Sequence, residues 1–441
     1  MKKEKIKTDL LFLKYFLTGR NAFAAFEGAL KNQFLPPEEL EFMNWKRTQA
    51  IIKYAYEFVP YYAKVFKKIK LHPGDIITPN DLYKIPIVER KDIKNNFQEF
   101  ISVKAKRRYM KLVSTGGTTG EPVKVYHDGR FISSVMWWRI LSWFNLSPCV
   151  DVGTIWRKQY SNKLLWWPGR NVHLDVTVLS PDRMKRFIEE ANRIRPKVII
   201  GYTGPLDYLA SFIKNNSIKV FFPEIIISSS SPITKAQELN IQSAFNAPVY
   251  DMYGCCEIYW LASQCAAKKS MHILYDRCRI EFLSESNKEC KEGEEGELVI
   301  TDFTNYVFPL IRYKNGDRGR KTDGLCGCGI TLPLMEQVKG RTSDIVHLPS
   351  GNKISGEFLM SIFDDYPGSI RKYQVCQKKD YSILITVVRN KENPEFDKAL
   401  NTVKARLLKL LNSEVKLEIS EADDIVSRNC KHSYVISEIN K

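Results

Sequence analysis

The sequence predicts an α/β protein with a large N-terminal domain and a small α+β C-terminal domain. Three features lead to this prediction: helical spacing of apolar residues over the first hundred positions, short apolar runs that alternate with amphipathic stretches over residues 110–300, and few aromatic residues from position 345 onward. The length of 441 residues also suits two or three domains. We therefore expect one domain at 1–340 and a second at 341–441.

The central part of the chain contains the strongest strand signals. Residues 198–200 and 225–227 are runs of β-branched side chains, and residues 204–214 between them have the apolar spacing of a helix. A strand, a helix and a second strand in this order are typical of a largely parallel sheet. Residues 287–296 are charged and rich in glycine, so they predict a hairpin turn that leads into a strand at 297–301.

The last hundred residues have a pattern of their own. Residues 382–388 and 415–419 predict strands, and residues 394–411 predict an amphipathic helix between them. A segment of this size can fold as a separate unit. It accounts for the α+β C-terminal domain of the predicted fold.

Charge and composition narrow the function. The chain carries 67 Lys and Arg against 50 Asp and Glu, and a basic surface of this kind could bind nucleic acid, an anionic membrane or a phosphorylated substrate. The basic residues are scattered, however, which favours a solvated basic surface over a nucleic-acid groove. We expect no nucleic-acid partner. No apolar run reaches the roughly 18 residues of a membrane span. Ten cysteines without a recognisable signal peptide indicate a reducing, cytoplasmic location, with thiols that are free or bound to metal.

A loop rich in glycine and hydroxyl groups is the first candidate site. Residues 114–122 are Ser-Thr-Gly-Gly-Thr-Thr-Gly-Glu-Pro, and apolar residues stand on both sides. Glycines let the backbone approach phosphate oxygens, while N–H groups and hydroxyls donate hydrogen bonds to them. The pattern is neither a Walker loop nor a dinucleotide fingerprint. The alternative is an ordinary glycine-rich hairpin turn.

This loop resembles the phosphate loop of the adenylate-forming superfamily, which includes acyl-CoA synthetases, luciferases and nonribosomal adenylation domains. Its detailed form is similar to that of the phenylacetate–coenzyme A ligase-like and capsular-polysaccharide-type ligases. The resemblance implies a mobile C-terminal domain that rotates between two half-reactions. Many members have Lys where Glu121 stands, so one possible phosphate contact is missing here. The implied ATP-binding residues are Ser114, Thr115, Gly116, Gly117, Thr118, Thr119 and Gly120.

A second motif lies at residues 250–257, Tyr-Asp-Met-Tyr-Gly-Cys-Cys-Glu, which resembles the Tyr-Gly-x-x-Glu motif of the family. The resemblance implies that Tyr253 packs on adenine beside Gly254 and that Glu257 holds Mg²⁺. The chemistry suits these roles, because a ring face stacks on a purine and a carboxylate oxygen is a hard ligand. The alternative is a strand end with a buried tyrosine. Cys255 and Cys256 are expected to pack beneath the nucleotide.

Two further motifs follow in the family's order. Residues 308–318 contain Pro-Leu-Ile-Arg-Tyr-Lys-Asn-Gly-Asp, in which the resemblance implies that Asp317 binds the ribose hydroxyls. Arg312 is expected to be structural or near the nucleotide. Residues 340–344, Gly-Arg-Thr-Ser-Asp, resemble the boundary motif, so that Arg341 would contact ribose or phosphate and Asp344 would lie at the hinge.

A lysine near the end of the chain is the expected catalytic residue. Residues 429–436, Asn-Cys-Lys-His-Ser-Tyr-Val-Ile, resemble the family's Gly-Lys segment. Its lysine reaches the carboxylate and the α-phosphate during adenylation, and Lys431 corresponds to it. Cys430 stands where the family has glycine. The alternative is a solvated lysine without a catalytic role.

Four residues could form a structural zinc site. Cys265 and His272 are six residues apart in Cys-Ala-Ala-Lys-Lys-Ser-Met-His, and Cys326 and Cys328 form Cys-Gly-Cys-Gly. Two thiolates on a tight turn and a second pair from elsewhere would give a tetrahedral Cys₃His site. The resembled ligase branch commonly has Cys and His at these positions. The alternative is four unrelated residues, with cysteines buried as small apolar side chains.

The motifs occur in the family's order over residues 114–431 and together predict an ATP-dependent ligase. A carboxylic acid would be activated as an acyl-adenylate, with ATP and Mg²⁺ as cofactors, and transferred to a thiol such as coenzyme A or to an amine. An amide-forming ligase of polysaccharide or natural-product biosynthesis and a catalytically silent scaffold are the alternatives. The oligomeric state and the acid stay open. Residues that could line the acid pocket are Trp137, Trp138, Tyr202 and 228–231.

Overall fold

The computed structural model describes most of the chain. The described residues are 2–114, 123–156, 169–177, 179–267, 270–338, 340–341, 345–350, 353–355, 359, 362–363, 365–366, 368–390, 393–411, 414–425 and 434–439. Residues 115–120 of the phosphate loop, Asp344, Cys430 and Lys431 lie outside this set, and Arg341 is described for its backbone alone. Their predicted roles stay predictions.

Helices occupy the first hundred residues, as the apolar spacing predicts, and strands and helices alternate after them. Among the described residues, the α-helices in chain order, α1 to α10, are Lys2–Leu17, Ala22–Asn32, Pro37–Phe58, Pro60–Lys68, Arg90–Asn95, Ser134–Ser142, Pro181–Ile194, Thr203–Asn215, Lys235–Phe245 and Phe396–Leu410. The strands in chain order, β1 to β20, are Met110–Ser114, Lys124–Asp128, Val152–Trp156, Asn171–Asp175, Val198–Tyr202, Ile225–Ser229, Val249–Cys255, Tyr259–Gln264, Met271–Ile273, Cys278–Leu283, Glu295–Asp302, Tyr313–Thr322, Leu334–Met335, Gly340–Arg341, Ile345–His347, Lys353–Ser355, Ile370–Gln377, Ile383–Arg389, Leu417–Glu421 and Val435–Ser437.

The chain divides into two compact units. Unit 1 contains Met1–Val150 and Met252–Gln337, and unit 2 contains Asp151–Asp251 and Val338–Lys441. The C-terminal segment from Val338 onward thus groups with a segment from the middle of the chain. The predicted division into 1–340 and 341–441 stays a prediction about domains. The α/β fold class with a smaller C-terminal part is confirmed.

Unit 1 combines the N-terminal helices with antiparallel strands. One sheet has the order β10-β11-β12-β13-β9-β8-β7, in which every neighbouring pair is antiparallel. The β10–β11 hairpin confirms the turn predicted at residues 287–296. A separate hairpin joins β1 to β2 and ends with Ser114 opposite Lys124. The phosphate-loop residues therefore connect two paired strands.

Aromatic side chains form much of the helical core of unit 1. The Trp138 indole lies between three rings, with centroid distances of 5.8 Å to Phe12, 5.7 Å to Tyr15 and 6.1 Å to Phe26. Edge-to-face packing of this kind favours a fixed arrangement of the helices. Trp138 is part of this core, and the neighbouring Trp137 is buried as well, so their suggested place near an acid pocket stays a prediction.

Unit 2 contains the parallel sheet. Its strands follow the order β4-β3-β5-β6, and all three pairings are parallel. The helices α7, α8 and α9 connect and cover these strands, as the alternating pattern predicts. The prediction of a largely parallel sheet over residues 110–300 was wrong for the strands β7 to β11, whose pairings are antiparallel. Only three residues connect β7 to β8, and a parallel crossover needs a dozen or more.

The C-terminal part of unit 2 is a four-stranded sheet with the order β19-β18-β17-β20 and the helix α10. This matches the strands and the amphipathic helix expected there. Apolar side chains from α10, β17 and β18 share one core with Tyr434 and Val435. The hydroxyl of Tyr434 donates a buried hydrogen bond of 2.6 Å to Oε1 of Gln237 on α9. Across the described ranges of both units, the helices are too short or too polar to span a membrane.

Candidate active site

Three polar side chains on β12 line one face of the strand. Tyr313, Asn315 and Asp317 are two residues apart, and successive side chains of a strand point to opposite faces, so the three project together. All three are buried. They meet residues of β7 and of the turn after it, although β13, β9 and β8 separate the two strands in the sheet. The sheet therefore curls enough to bring its distant strands into side-chain contact.

Tyr253 and Asp317 belong to one hydrogen-bonded group. The Tyr253 hydroxyl donates to Oδ2 of Asp317 at 2.8 Å, and Nδ2 of Asn315 lies 2.8 Å from the hydroxyl and 2.7 Å from the same carboxylate oxygen. Burial, and next the negative charge of Asp317, raise the pKa of Tyr253 well above its usual value. The phenol therefore stays a donor, and it holds the carboxylate in one orientation. This arrangement brings the expected adenine and ribose residues together.

Glu257 lies in the short turn after β7 and is 2% exposed. The hydroxyl of Tyr313 donates to its Oε1 at 2.8 Å, and a guanidinium nitrogen of Arg90 lies 3.7 Å from the same oxygen. Burial and the Glu257 carboxylate raise the pKa of Tyr313, so the phenol stays protonated. Both contacts use Oε1, and the described residues offer no hydrogen-bond donor to Oε2. One carboxylate oxygen thus fits a hard cation such as Mg²⁺.

The backbone around Glu257 is held from several directions. Nε2 of His127 on β2 lies 3.2 Å from the carbonyl oxygen of Glu257, and burial lowers the pKa of this histidine. Sγ of Cys256 lies 3.4 Å from the carbonyl oxygen of Ser114, so the turn touches the end of β1 where the phosphate loop begins. Cys256 is exposed, and its expected packing beneath the nucleotide stays a prediction.

Gly254 has a steric reason to be glycine. A Cβ at this position would lie 2.4 Å from the carbonyl oxygen of Tyr259 and 2.9 Å from Cε3 of Trp260. Both atoms belong to β8, which pairs with β7 at this point. A side chain would therefore push the turn with Glu257 away from its strand. Gly254 shapes the site through this close approach, and its expected contact with the nucleotide stays a prediction.

Arg312 is structural. Its guanidinium contacts the Glu281 carboxylate through Nε at 3.0 Å and donates through Nη1 to the carbonyl oxygens of Leu82 and Ile85, at 2.9 and 2.6 Å. The side chain is buried, and none of these partners belongs to the hydrogen-bonded group of Tyr253, Asn315 and Asp317. The sequence left two roles open, a structural one and one near the nucleotide. The structure supports the structural role, in which Arg312 joins the start of β12 to the segment before α5.

The four predicted metal ligands converge in unit 1. Sγ of Cys265 lies 3.6 Å from Sγ of Cys326, and Sγ of Cys328 lies 3.3 Å from Nε2 of His272. All four ligand atoms lie within 4.8 Å of one another. Two thiolates of a tetrahedral zinc site are about 3.8 Å apart, as zinc–sulfur bonds of about 2.3 Å require. The donor set and its spacing therefore fit zinc.

The surroundings of the cluster suit a closed structural site. Nδ1 of His272 lies 3.4 Å from the carbonyl oxygen of Leu332, which leaves Nε2 to face the thiols. Burial lowers the pKa of His272 to about 4, so the imidazole is neutral near pH 7. Burial also raises the pKa of Cys265 and that of Cys328, the latter to about 12. Thiolates at this position would therefore need a cation beside them.

Hydroxyl groups collect at the carboxyl ends of the parallel strands in unit 2. Oγ1 of Thr203 lies 2.7 Å from Oγ of Ser228 and 2.8 Å from the carbonyl oxygen of Ser231. Ser230 has a φ of 79°, and its buried hydroxyl has no hydrogen-bond partner among the described residues. The rings of Tyr202 and Trp156 are 4.1 Å apart at the same strand ends. Ligands of open α/β sheets bind at such ends, which is compatible with the acid-pocket role expected for Tyr202 and residues 228–231. That role stays a prediction.

Sequence reasoning missed four side chains of this site: Arg90, His127, Tyr313 and Asn315. Tyr313 and Asn315 lie inside the Arg-Tyr-x-x-Gly-Asp motif, and their two-residue spacing to Asp317 was a usable signal for a shared face. Arg90 and His127 are more than one hundred residues from Glu257, and no local pattern marks them. Only the tertiary contacts identify their roles.

Comparison with known proteins finds distant sequence relatives of two kinds, phenylacetate-coenzyme A ligases and protein CapK. No family model matches the chain. The chain is 23% identical over 362 residues to phenylacetate-coenzyme A ligase of Thermus thermophilus, covering 78% of this chain and 80% of the relative. It is 25% identical over 287 residues to protein CapK of Staphylococcus aureus, covering 62% of this chain and 61% of the relative.

Solved structures support the same fold. A crystal structure of 2-hydroxyisobutyryl-CoA ligase in the postadenylation state, in complex with R3-HIB-AMP, matches with a TM-score of 0.78. The match has 16% sequence identity and covers 93% of this chain and 92% of that one. The motif order, the convergence of Tyr253, Glu257 and Asp317, and these relatives agree. The chain thus shares the fold of 2-hydroxyisobutyryl-CoA ligase and is similar in sequence to phenylacetate-coenzyme A ligases and CapK, which supports the expected relationship to the adenylate-forming superfamily.

Proposed function

We propose that this protein uses ATP to activate a carboxylic acid as an acyl-adenylate and then transfers the acyl group to a thiol or an amine. The observation that carries the proposal is the polar group of Tyr253, Asn315 and Asp317 beside Glu257, whose turn touches Ser114 at the start of the phosphate loop. In the first step the acid carboxylate attacks the α-phosphate and pyrophosphate leaves. In the second, a nucleophile attacks the acyl carbon and AMP leaves.

The residues of unit 1 divide the work of holding the nucleotide. Asp317 would accept hydrogen bonds from the ribose hydroxyls, while Tyr253 and Asn315 fix its carboxylate. Glu257 would hold Mg²⁺, which neutralises charge on the phosphates. The backbone and hydroxyls of residues 114–120 would contact phosphate oxygens. Catalysis of this kind depends mainly on positioning and on charge stabilisation.

A panel of carboxylic acids in an ATP–pyrophosphate exchange assay tests this function. We expect exchange that requires both Mg²⁺ and one class of acid, because formation of the adenylate is reversible and releases pyrophosphate. Boiled protein and reactions without acid are the controls. If the protein binds ATP but no acid in a broad aromatic, aliphatic and hydroxy-acid panel supports exchange, the result favours the catalytically silent scaffold.

The acceptor is tested once the acid is known. The relatives named as coenzyme A ligases make coenzyme A the first thiol to examine. AMP release that rises on addition of coenzyme A, with acyl-coenzyme A detected by mass, would support the thiol. Release that rises only with amines would support the amide-forming alternative. We place either reaction in the cytoplasm, where ATP is supplied.

We also propose that Cys265, His272, Cys326 and Cys328 bind one structural zinc ion. The 4.8 Å limit on their ligand-atom separations supports this proposal. The ion would tie the end of β8 and the strand β9 to the turn between β12 and β13. Because β12 also carries Tyr313, Asn315 and Asp317, the metal would indirectly stabilise the strand that holds the nucleotide residues.

Protein purified without chelators is expected to contain about one zinc ion per chain, measured by elemental analysis. Cys326→Ser should lose most of the metal and lower the Tm by about 5 °C or more, since metal binding to a folded site is folding free energy. Cys290→Ser is the matched control, because Cys290 is a partly buried thiol of the same unit outside the cluster. A metal-free wild type with the same Tm in the presence of chelator would contradict the zinc proposal.

A further inference from the structure

The helix α1 has apolar side chains on two opposite faces. One face packs on the protein: Leu11 is buried, and Phe12 and Tyr15 contact the Trp138 ring. The second face carries Ile6, Leu10, Leu13 and Leu17, which are 59, 60, 52 and 75% exposed. Their spacing of four, three and four residues places them in one stripe along the helix.

This stripe differs from ordinary surface exposure. Single exposed apolar residues are common on soluble proteins, but a continuous row over three helical turns is not. Phe16, 67% exposed, and Phe23 at the start of α2, 52% exposed, enlarge the apolar surface at the end of α1. At 100° per residue, the stripe lies opposite the face formed by Leu11 and Tyr15. The helix can therefore contact a second surface without leaving the first.

Positive charge accompanies the stripe. The first twenty residues contain six basic side chains and two acidic ones, Glu4 and Asp9. Lys7 and Lys14 lie about 60° and 40° around the helix from Leu10, so they border the stripe along one edge. A lysine at such a border can place its aliphatic stem on apolar material and keep its ammonium among anionic groups.

We propose that α1 docks this protein on an anionic lipid surface, with Ile6, Leu10, Leu13 and Leu17 inserted into the headgroup boundary. A helix with an apolar stripe, bordering lysines and a length of about 24 Å lies in the plane of a bilayer and is too short to cross it. Anionic headgroups match the basic segment and the formal charge of +17 of the whole chain. A second copy of the helix on the same stripe would instead bring like charges together.

The stripe residues take no part in the group formed by Tyr253, Glu257 and Asp317, so their replacement tests the surface alone. The proposal is independent of the acid and of the acceptor. It implies that the protein works at a membrane surface without crossing the bilayer, which is compatible with the helices described here.

Co-sedimentation with vesicles tests the proposal. The probes are vesicles of phosphatidylglycerol mixed with phosphatidylcholine and vesicles of phosphatidylcholine alone. We expect wild type to bind the anionic vesicles, and to bind more weakly when ionic strength rises from 0.05 to about 0.5 M, because salt screens the lysines. Leu10→Ser/Leu13→Ser should weaken this binding by at least about tenfold.

The control is Ile77→Ser/Phe222→Ser, which replaces two exposed apolar residues outside α1 that are 70 and 64% exposed. It should bind vesicles like wild type. Both variants should keep the wild-type Tm and acid-dependent pyrophosphate exchange, which separates failure of docking from failure of the proposed function. Equal vesicle binding by the stripe variant and wild type would overturn the proposal. The proposal would also be overturned if wild type did not bind vesicles and light scattering showed it to be a dimer, while the stripe variant was a monomer.

Discussion

Lys431→Ala is expected to slow formation of the acyl-adenylate by about 100- to 1,000-fold and to change ATP affinity by less than about twofold. The ammonium would neutralise the charge that builds up as the acid carboxylate approaches the α-phosphate. A group that acts mainly in the transition state lowers the rate when it is removed, with little effect on substrate binding. Acid-dependent pyrophosphate exchange measures the rate, and calorimetry with ATP measures the affinity.

Tyr434, which follows Lys431 by three positions in the sequence, is held firmly within unit 2. Its hydroxyl is anchored to Gln237, and Gln237 takes part in the capping box of Thr234 at the start of α9. The helix α9 begins a few residues after Ser231, at the carboxyl end of β6. Tyr434 is thus anchored near the strand ends where Thr203 and Ser228 meet.

Two variants separate catalysis from general charge. Lys398→Ala removes a lysine that is 82% exposed on α10 and should leave the exchange rate unchanged. Lys431→Arg keeps the charge and should recover part of the rate. Acyl transfer from a supplied acyl-adenylate should persist in Lys431→Ala, since the resemblance implies that this lysine serves the first half-reaction. A wild-type exchange rate in Lys431→Ala, with the true acid present, would remove the lysine from the mechanism.

The fold could be predicted where the sequence pattern is local. The runs at 198–200 and 225–227 became β5 and β6 because a parallel strand buried on both faces needs a continuous apolar segment. The direction of β7 to β13 could not be predicted from apolar spacing, which is the same for parallel and antiparallel strands. Connection length was the missing criterion, because the three residues after Cys255 permit only a hairpin.

The site shows a similar limit. Motifs located Tyr253, Glu257 and Asp317, because their residue types and order were sufficient. The sequence did not reveal that Asn315 binds both Tyr253 and Asp317. Nor did it reveal that the Tyr313 hydroxyl anchors Glu257. Those contacts depend on how the antiparallel sheet curls. No local pattern could show that Cys265 and Cys326, 61 residues apart, lie together. There the family resemblance led to the expected metal site, which the geometry now supports.

Glu257→Gln is expected to reduce acid-dependent pyrophosphate exchange by about 100-fold at 1 mM Mg²⁺, with partial recovery at high Mg²⁺. The amide has nearly the shape of the carboxylate, and its oxygen can still accept the hydrogen bond from Tyr313. The variant therefore keeps the packing and removes one negative charge. The expected loss follows from weaker Mg²⁺ binding, so the Mg²⁺ concentration for half-maximal exchange should rise at least about tenfold.

Tyr313→Phe is the matched comparison, because it removes the 2.8 Å hydrogen bond to Oε1 and keeps the Glu257 charge. It should slow exchange by less than about tenfold and leave the Mg²⁺ dependence close to that of wild type, since positioning is impaired and the ligand remains. Circular dichroism and Tm verify that both variants fold. The ratio between the exchange rates of the two variants distinguishes a metal ligand from a residue that only supports the turn. If Glu257→Gln and Tyr313→Phe lose equal activity with an unchanged Mg²⁺ dependence, Glu257 is a buried structural acid, and the Mg²⁺ site must be sought elsewhere.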